Sequence, residues 1–296
     1  MSRSSDLAEL SLTQAIAKYA GENTLISDSM SLSGGTINQA YRVSLASGEV
    51  CFVKLANSTG IYPGMFEAEA DALKLISQSE TIQVPEVLFV DAECIIQAYF
   101  EQGKKGANWH EEIGRQLALM HRAIQADVFG FSRNNFLGTS KQINRQRDSW
   151  LIFWQENRLQ PQIDYLASAL GMGDSLVIAL ERLCSRLPIY LGDTTEPAVF
   201  VHGDLWSGNA AADSRGAPII FDPAGYFACR EVEFGMMRLF GGFGLTTEAA
   251  YEELWPFQAG SEERIEIYRL YHIVNHLIIF GSSYYQDAKT VVSKLL

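Results

Sequence analysis

The chain has 296 residues, 47% of them hydrophobic, and a formal net charge of −12 from 23 basic and 35 acidic side chains. That length suits one large core, or two lobes around a cleft. The acidic field repels nucleic-acid phosphates and anionic membrane surfaces, so neither is an expected partner, and an anionic substrate needs a local basic site that outweighs it.

The first residues, MSRSSDLAEL, lack the apolar core of a signal peptide, and no apolar run is long enough to span a bilayer. Cys51, Cys94, Cys184 and Cys229 are scattered, with no C-x-x-C pair. They fit reduced thiols better than zinc ligands or disulfides, and the expectation is a cytoplasmic protein. Leu7, Leu10 and Ala17 share a stripe, which predicts an amphipathic helix over the first twenty residues. The alternation Tyr41–Val43–Leu45, the turn at Ser47-Gly48 and the run Val50–Leu55 predict a β-hairpin. A helix follows over Phe66–Ser77, with apolar positions at Phe66, Ala70, Leu73 and Ile76. Val87–Val90 and Cys94–Ala98 read as two strands around a turn at Asp91-Ala92. At GKKGAN, Gly103–Asn108, the pattern becomes mainly helical: Trp109–Arg122, Trp150–Leu170, Asp174–Arg186 and Glu262–Phe280. Val201–Asn209 and Pro218–Asp222 interrupt it as short strands or loops. The expected architecture is α+β, with a small sheet-rich lobe (1–102), a hinge near 99–106 and a larger helical lobe (103–296).

The chemistry concentrates in VHGDLWSGN, Val201–Asn209, and IIFDPAG, Ile219–Gly225. Asp204 follows an apolar strand-like run and a glycine, which can leave its carboxylate free to accept or orient a substrate proton. Asn209 offers a carbonyl oxygen and Asp222 a carboxylate, a donor pair suited to Mg²⁺ bound through phosphates. An Asp, an Asn five positions on and an Asp on a later strand form the arrangement of kinase sites. Each alone reads more readily as a turn or cap residue; it is the three in this order that point to a site. His202 can brace the loop through backbone or Asp222, or take part in catalysis. Gly34-Gly35 form either a plain hairpin turn or a loop whose amides approach phosphates. Lys54, among Phe52, Val53 and Leu55, needs a partner, which Glu67 or Glu69 on the next helix can provide. A P-loop motif is missing from the sequence. His272 and His276 have metal-ligand spacing without a catalytic Glu between them, and read as packing histidines; GGFG, Gly241–Gly244, reads as a turn.

HGDLWSGN (His202–Asn209) with FDPAGYFACREVEFGMMRLFGGF (Phe221–Phe243) resembles the fructosamine-3-kinase, or ketosamine kinase, family, relatives of aminoglycoside and choline kinases. The resemblance runs over nearly the whole chain. HGD is common to those relatives; the LWSGN continuation points to ketosamine kinases. It implies a bilobal protein-kinase-like fold and ATP-dependent phosphorylation of the 3-hydroxyl of a ketosamine. The 3-phosphates are unstable, so the implied role is repair of glycated amines, on small-molecule ketosamines or on protein lysines. Carried over by position, Asp204 is the catalytic base, Asn209 and Asp222 hold Mg²⁺, and Lys54 with Glu69 sets the ATP phosphates. SGGTINQAYRV (Ser33–Val43) resembles the nucleotide loop, which places Gly34, Gly35, Thr36 and Asn38 at ATP; IIQAYF resembles the hinge, which places Gln97 and Tyr99 there. His202 supports the loop, and Trp206 shapes the sugar side. FLGTSKQIN (Phe136–Asn144) and FWQENRLQPQI (Phe153–Ile163) resemble the helical-lobe insert.

The chain departs from the family pattern at three places. Thr36 stands where Cys is frequent, Glu233 where Asp is usual, and Gln97 where an acidic residue is common. Two rivals remain on the sequence: a kinase for another small sugar or amine, such as an aminoglycoside, choline or methylthioribose, and a non-catalytic nucleotide-binding module. Oligomeric state is not legible.

Overall fold

The computed structural model describes residues 2–32, 38–57, 62–192 and 195–296, and the backbone only for residues 2–8. Helix α1 (Ser2–Ala20) precedes strands β1 (Ile26–Leu32), β2 (Gln39–Leu45) and β3 (Val50–Leu55). Helix α2 (Met65–Ser77) leads to β4 (Val87–Val90) and β5 (Cys94–Ala98). The five strands form one antiparallel sheet in the order β1-β2-β3-β5-β4.

The two faces of this sheet carry different jobs, because side chains alternate along a strand. Val43, Leu45, Cys51, Val53 and Ile96 face α1, which docks through Leu12, Ala15 and Ile16. The stripe read from Leu7, Leu10 and Ala17 is therefore corrected at Leu10, which is 56% exposed; Ala17 is half-buried, and the Leu7 side chain lies outside the described residues. Both stripes have helical spacing, and contact with the sheet selects between them. Burying Leu12 and Ile16 contributes about 3–6 kcal/mol on the transfer scale. On the other face, Ile95 packs against Phe66, Ala70 and Leu73 of α2, and Lys54 and Gln97 are buried beside it.

Residues 99–108 contain no regular element and connect to α3 (Trp109–Ala123). Then come β6 (Gln125–Ala126), the hairpin β7 (Asn135–Leu137) and β8 (Ser140–Gln142), α4 (Trp150–Trp154), a π-turn over Gln155–Leu159, α5 (Gln160–Leu170) and α6 (Ser175–Leu191). The helix expected without a break over Trp150–Leu170 is thus widened in the middle. Pro161 has no N–H to give the Asn157 carbonyl, and the Arg158 guanidinium donates to that carbonyl instead, at 3.0 Å. Helix α6 runs past Arg186 with Pro188 inside it, and Asp174 caps its start by accepting from the Leu176 amide at 2.8 Å.

Strand β9 (Ala198–Val201) is the middle of a three-stranded sheet, β12-β9-β6, with β12 at Tyr226–Ala228. A second hairpin, β10 (Ala210–Ala212) and β11 (Pro218–Ile220), touches the sheet lobe where the Ile220 amide donates to Gln83 O at 3.0 Å. Helices α7 (Val232–Phe240), α8 (Leu245–Leu254), α9 (Ser261–Phe280) and α10 (Tyr285–Lys294) complete the helical lobe, α9 matching its expected span. The four cysteines are buried thiols. No helix among the described residues is long and apolar enough to cross a membrane.

Candidate active site

Strand β9 is buried along its whole length and delivers His202, Gly203 and Asp204 at its end. Gly203 has φ +79°, and a Cβ there would stand 2.4 Å from Ala224 O, so this turn requires glycine. The turn is clamped from α7. Glu233 Oε2 accepts the His202 amide at 2.6 Å, and its Oε1 accepts the Gly203 amide at 3.0 Å. The longer Glu side chain thereby reaches two backbone donors from the first turn of a helix.

His202 stitches the two sequence segments together. Its Nδ1 accepts the Asp204 amide at 3.3 Å, and its Nε2 lies 2.9 Å from Phe221 O, which makes Nε2 the protonated nitrogen. Burial holds its pKa below the usual histidine range, as the neutral ring requires. The partners are backbone groups, the bracing reading, and not Asp222.

Asp204 is half-buried, and both its carbonyl and its Oδ2 accept from Asn209 Nδ2, at 2.9 and 3.1 Å. Burial, and then the nearby charge of Asp222, push its carboxyl well above the usual range. Asp222 has φ +60°, a left-handed backbone that is strained for a side-chain-bearing residue by about 1–3 kcal/mol. Its Oδ1 accepts Lys54 Nζ at 2.6 Å, and the same ammonium donates to Glu69 Oε1 at 2.7 Å. Desolvation opposes the Lys54 charge, yet Asp222 and Glu69 outweigh it and hold the ammonium protonated. Of the two glutamates open on the sequence, Glu69 is the partner.

The donor set fits a divalent cation. Asn209 commits its amide nitrogen to Asp204, and among the described hydrogen bonds Asn209 Oδ1 and Asp222 Oδ2 take no donor. Two oxygens of different residues, beside two carboxylates that repel one another, are the hard ligands Mg²⁺ prefers.

The remaining expected residues divide. Gly34, Gly35 and Thr36 lie outside the described residues. Asn38 is half-buried and donates to Met65 Sδ at 3.5 Å, at the start of α2. Tyr99 sits half-buried in the connection between lobes, under the Arg42 guanidinium at 5.2 Å. Gln97 points elsewhere than a hinge reading suggests: it is 1% exposed, and its Nε2 donates to Glu69 Oε1 at 2.8 Å. Register explains this, because Gln97 and Lys54 share one face of adjacent strands. Trp206 lies across Gly208, where a Cβ would meet the indole at 2.3 Å, and edges onto Phe240 at 5.7 Å. His276 Nδ1 donates to His272 O at 2.7 Å, and its ring sits among Phe240, Phe280 and Tyr284, so this pair packs.

One network behind Asp222 was not legible in the sequence. Asn135 Nδ2 donates to Gly225 O at 2.9 Å, and Gln142 Nε2 to Ala224 O at 3.3 Å. Asn144 Nδ2 donates to Asn135 Oδ1 at 2.9 Å, and Arg158 Nη2 to Asn144 Oδ1 at 2.8 Å. The β7–β8 hairpin thus holds the Asp222 loop through buried amides. The only signal was an Asn and Gln excess in the stretch from Asn134 to Asn144.

Comparison with known proteins adds an independent line. A family model described as fructosamine kinase matches residues 9–296. A protein of Synechocystis assigned as a ketoamine kinase is 33% identical over 290 residues, covering 96% of each chain. The chloroplastic protein-ribulosamine 3-kinase of Arabidopsis thaliana is 36% identical, covering 93% of this chain and 85% of its own. A crystal structure assigned to fructosamine-3-kinase from Thermobifida fusca superposes with a TM-score of 0.87 at 26% identity, covering 96% of this chain and 98% of that one. The streptomycin–ATP–APH(2")-IIa ternary complex, at 12% identity and a TM-score of 0.62, shares the fold alone.

Proposed function

The chain belongs to the fructosamine kinase family, and from that premise we propose that it transfers the γ-phosphoryl group of ATP to the 3-hydroxyl of a ketosamine. The observation that carries the reading is the meeting of Lys54 from the sheet lobe with Asp222 from the helical lobe, beside Asp204 and Asn209. Phosphoryl transfer asks the protein mainly for positioning and charge neutralisation, and this constellation supplies both.

In this reading Asp204 accepts a hydrogen bond from the sugar hydroxyl and aims it at the γ-phosphorus. Asn209 keeps that carboxylate in place through one hydrogen bond to Oδ2 and a second to the Asp204 main-chain carbonyl. Lys54 binds the phosphates, with Glu69 and Gln97 fixing its direction. Asn209 and Asp222 would hold Mg²⁺, which would neutralise phosphate charge. Gly34, Gly35 and Thr36 would cover the phosphates, with Asn38 behind them and Tyr99 beside the base. Trp206 would form one wall for the sugar. We set the boundary between a nucleotide-binding lobe (1–102) and a catalytic lobe (103–296) within residues 99–108, which hold no regular element. Acceptors are small-molecule ketosamines or glycated lysines, and buried thiols suit a reducing compartment such as the cytoplasm.

The test is ADP release with Mg·ATP across ribulosamine, fructosamine and free sugars, with an aminoglycoside and choline as controls. Turnover with ketosamines alone is expected. Turnover with a control alone would reassign the acceptor, and no ADP with any of them would remove the activity.

A further inference from the structure

A cavity of about 430 Å³ lies next to the site, among the β7–β8 hairpin, the π-turn and α9. Its walls include Lys141, Arg158, Gln162, Tyr271 and Asn275. It adjoins the catalytic loops: Tyr271 OH donates to Gln142 at 3.0 Å, and Gln142 donates to Ala224 O, two residues beyond Asp222. The volume is that of a small-ligand pocket.

The walls are charged in one sense. Lys141 is exposed on the hairpin, while Arg158 is 1% exposed and lies over the Tyr226 ring at 4.0 Å. Arg158 donates to carbonyl oxygens of Ile143, Asn157 and Asn144, all neutral. Among the described residues neither Lys141 nor Arg158 forms an ion pair, and no acidic side chain lines the cavity. In a chain of net charge −12 this is a local reversal of sign. A buried cation without a counter-charge is costly, and a bound anion relieves that cost.

Among the described residues, two polar atoms of the lining lack partners: Arg158 Nε is a buried donor without an acceptor, and Gln162 Oε1 a buried acceptor without a donor. Gln162 is 6% exposed, and its Nε2 is committed to Tyr271 O at 2.9 Å. A ligand carrying an anion and an N–H donor offers each a partner. The π-turn brings Arg158 here, since Pro161 displaces the regular hydrogen bonding of the helix.

Resting on the ketosamine kinase reading, we propose that this cavity takes the amine side of the acceptor, and that the favoured acceptor bears a carboxylate beside its ketosamine nitrogen. The carboxylate faces Lys141 and Arg158, and the ammonium donates to Gln162 Oε1. The class is ketosamines of free amino acids, in preference to neutral amines or lysine side chains inside a protein.

The experiment compares kcat/KM for the ketosamines of glycine and glycinamide, which differ in charge and little in shape. A preference for the glycine adduct of about tenfold is expected from one charge-assisted contact. In Lys141→Glu, a change on an exposed hairpin position, the ratio falls below one. Ligand-induced shifts in melting temperature should rank the two adducts in the same order. Equal kcat/KM for both adducts overturns the proposal while leaving the kinase reading intact. A ratio unchanged in Lys141→Glu also overturns it. A preference for a ribulosamine 5-phosphate, with no glycine–glycinamide difference, would give the basic residues to a sugar phosphate and overturn it. No turnover of any ketosamine would remove the kinase reading and this inference with it.

Discussion

Lys54 Nζ and Asp222 Oδ1 stand 2.6 Å apart although 168 residues separate them in the chain. One belongs to a sheet strand, the other to the turn after β11, so this contact joins the two lobes. Replacing Lys54 with Met removes the positive charge between Asp222 and Glu69. We expect kcat/KM for ATP to fall by at least about 100-fold, a typical cost of losing one preorganised electrostatic donor. Steady-state kinetics at saturating acceptor measure it, and a fall under tenfold would refute the role.

Gln97 tests whether its side chain reads the nucleotide or positions Glu69. The amide bond to Glu69 predicts that Gln97→Leu weakens ATP use several-fold without changing the ratio of ATP to GTP activity. A changed ratio would instead return Gln97 to the base pocket.

Asp204→Asn keeps the shape and removes the carboxylate. Transfer should drop by about 10²–10⁴, the range for a positioned acid–base group. Nucleotide affinity, read by calorimetry, should stay within a few-fold. A variant that turned over normally would exclude Asp204 as the group that orients the hydroxyl.

Glu233 holds two buried amides of the catalytic turn. Glu233→Ala leaves both without an acceptor, at about 1–3 kcal/mol each. We expect a loss of about 2–6 kcal/mol in denaturant unfolding, with Glu233→Gln losing less because it retains one acceptor oxygen. Equal losses in the two variants would argue against this clamp.

His121, His202 and His272 are buried with pKa values held below 6.5 by desolvation, His272 down to about 3. In the unfolded chain they titrate near 6.5, so below that pH the unfolded state binds more protons. Their contribution is complete above 6.5 and is lost as pH falls, continuing to about 3 for His272. Asp204, with its pKa raised, acts in the opposite sense, since the folded state keeps its proton to higher pH. His276 is lowered by burial too, and Glu69 is raised like Asp204, so four histidines stand against two carboxyls and predict lower stability at pH 5.5 than at 7.5. Equal or higher stability at 5.5, by urea unfolding, would contradict this. Activity should rise with pH as Asp204 ionises.

Much of the architecture was legible because its signals are local. The spans of β4 and β5 and the α2 stripe follow from alternation and helical spacing, and the structure repeats them. Helices α7, α8 and α10 were not read. Alpha8 has a weak apolar face and shows no clear stripe, and α7 spans only nine residues, too short for a repeating one. A glutamate partner for Lys54 and the grouping of Asp204, Asn209 and Asp222 were legible from residue type and order, and the family resemblance favoured Glu69 over Glu67.

By itself the sequence determined which side chains carry charge in apolar surroundings, because such groups must find partners wherever the chain puts them. It also determined the strands and helices with strong periodicity, and the family. Tertiary structure alone decided which partner each charge meets. It turned Gln97 to Glu69, gave Glu233 two amides 31 and 30 residues away, and chose Leu12 over Leu10 as the docking face of α1. It also set the amide network of the β7–β8 hairpin behind Asp222. These contacts depend on register and packing between distant segments, and no local pattern encodes a distance across a fold.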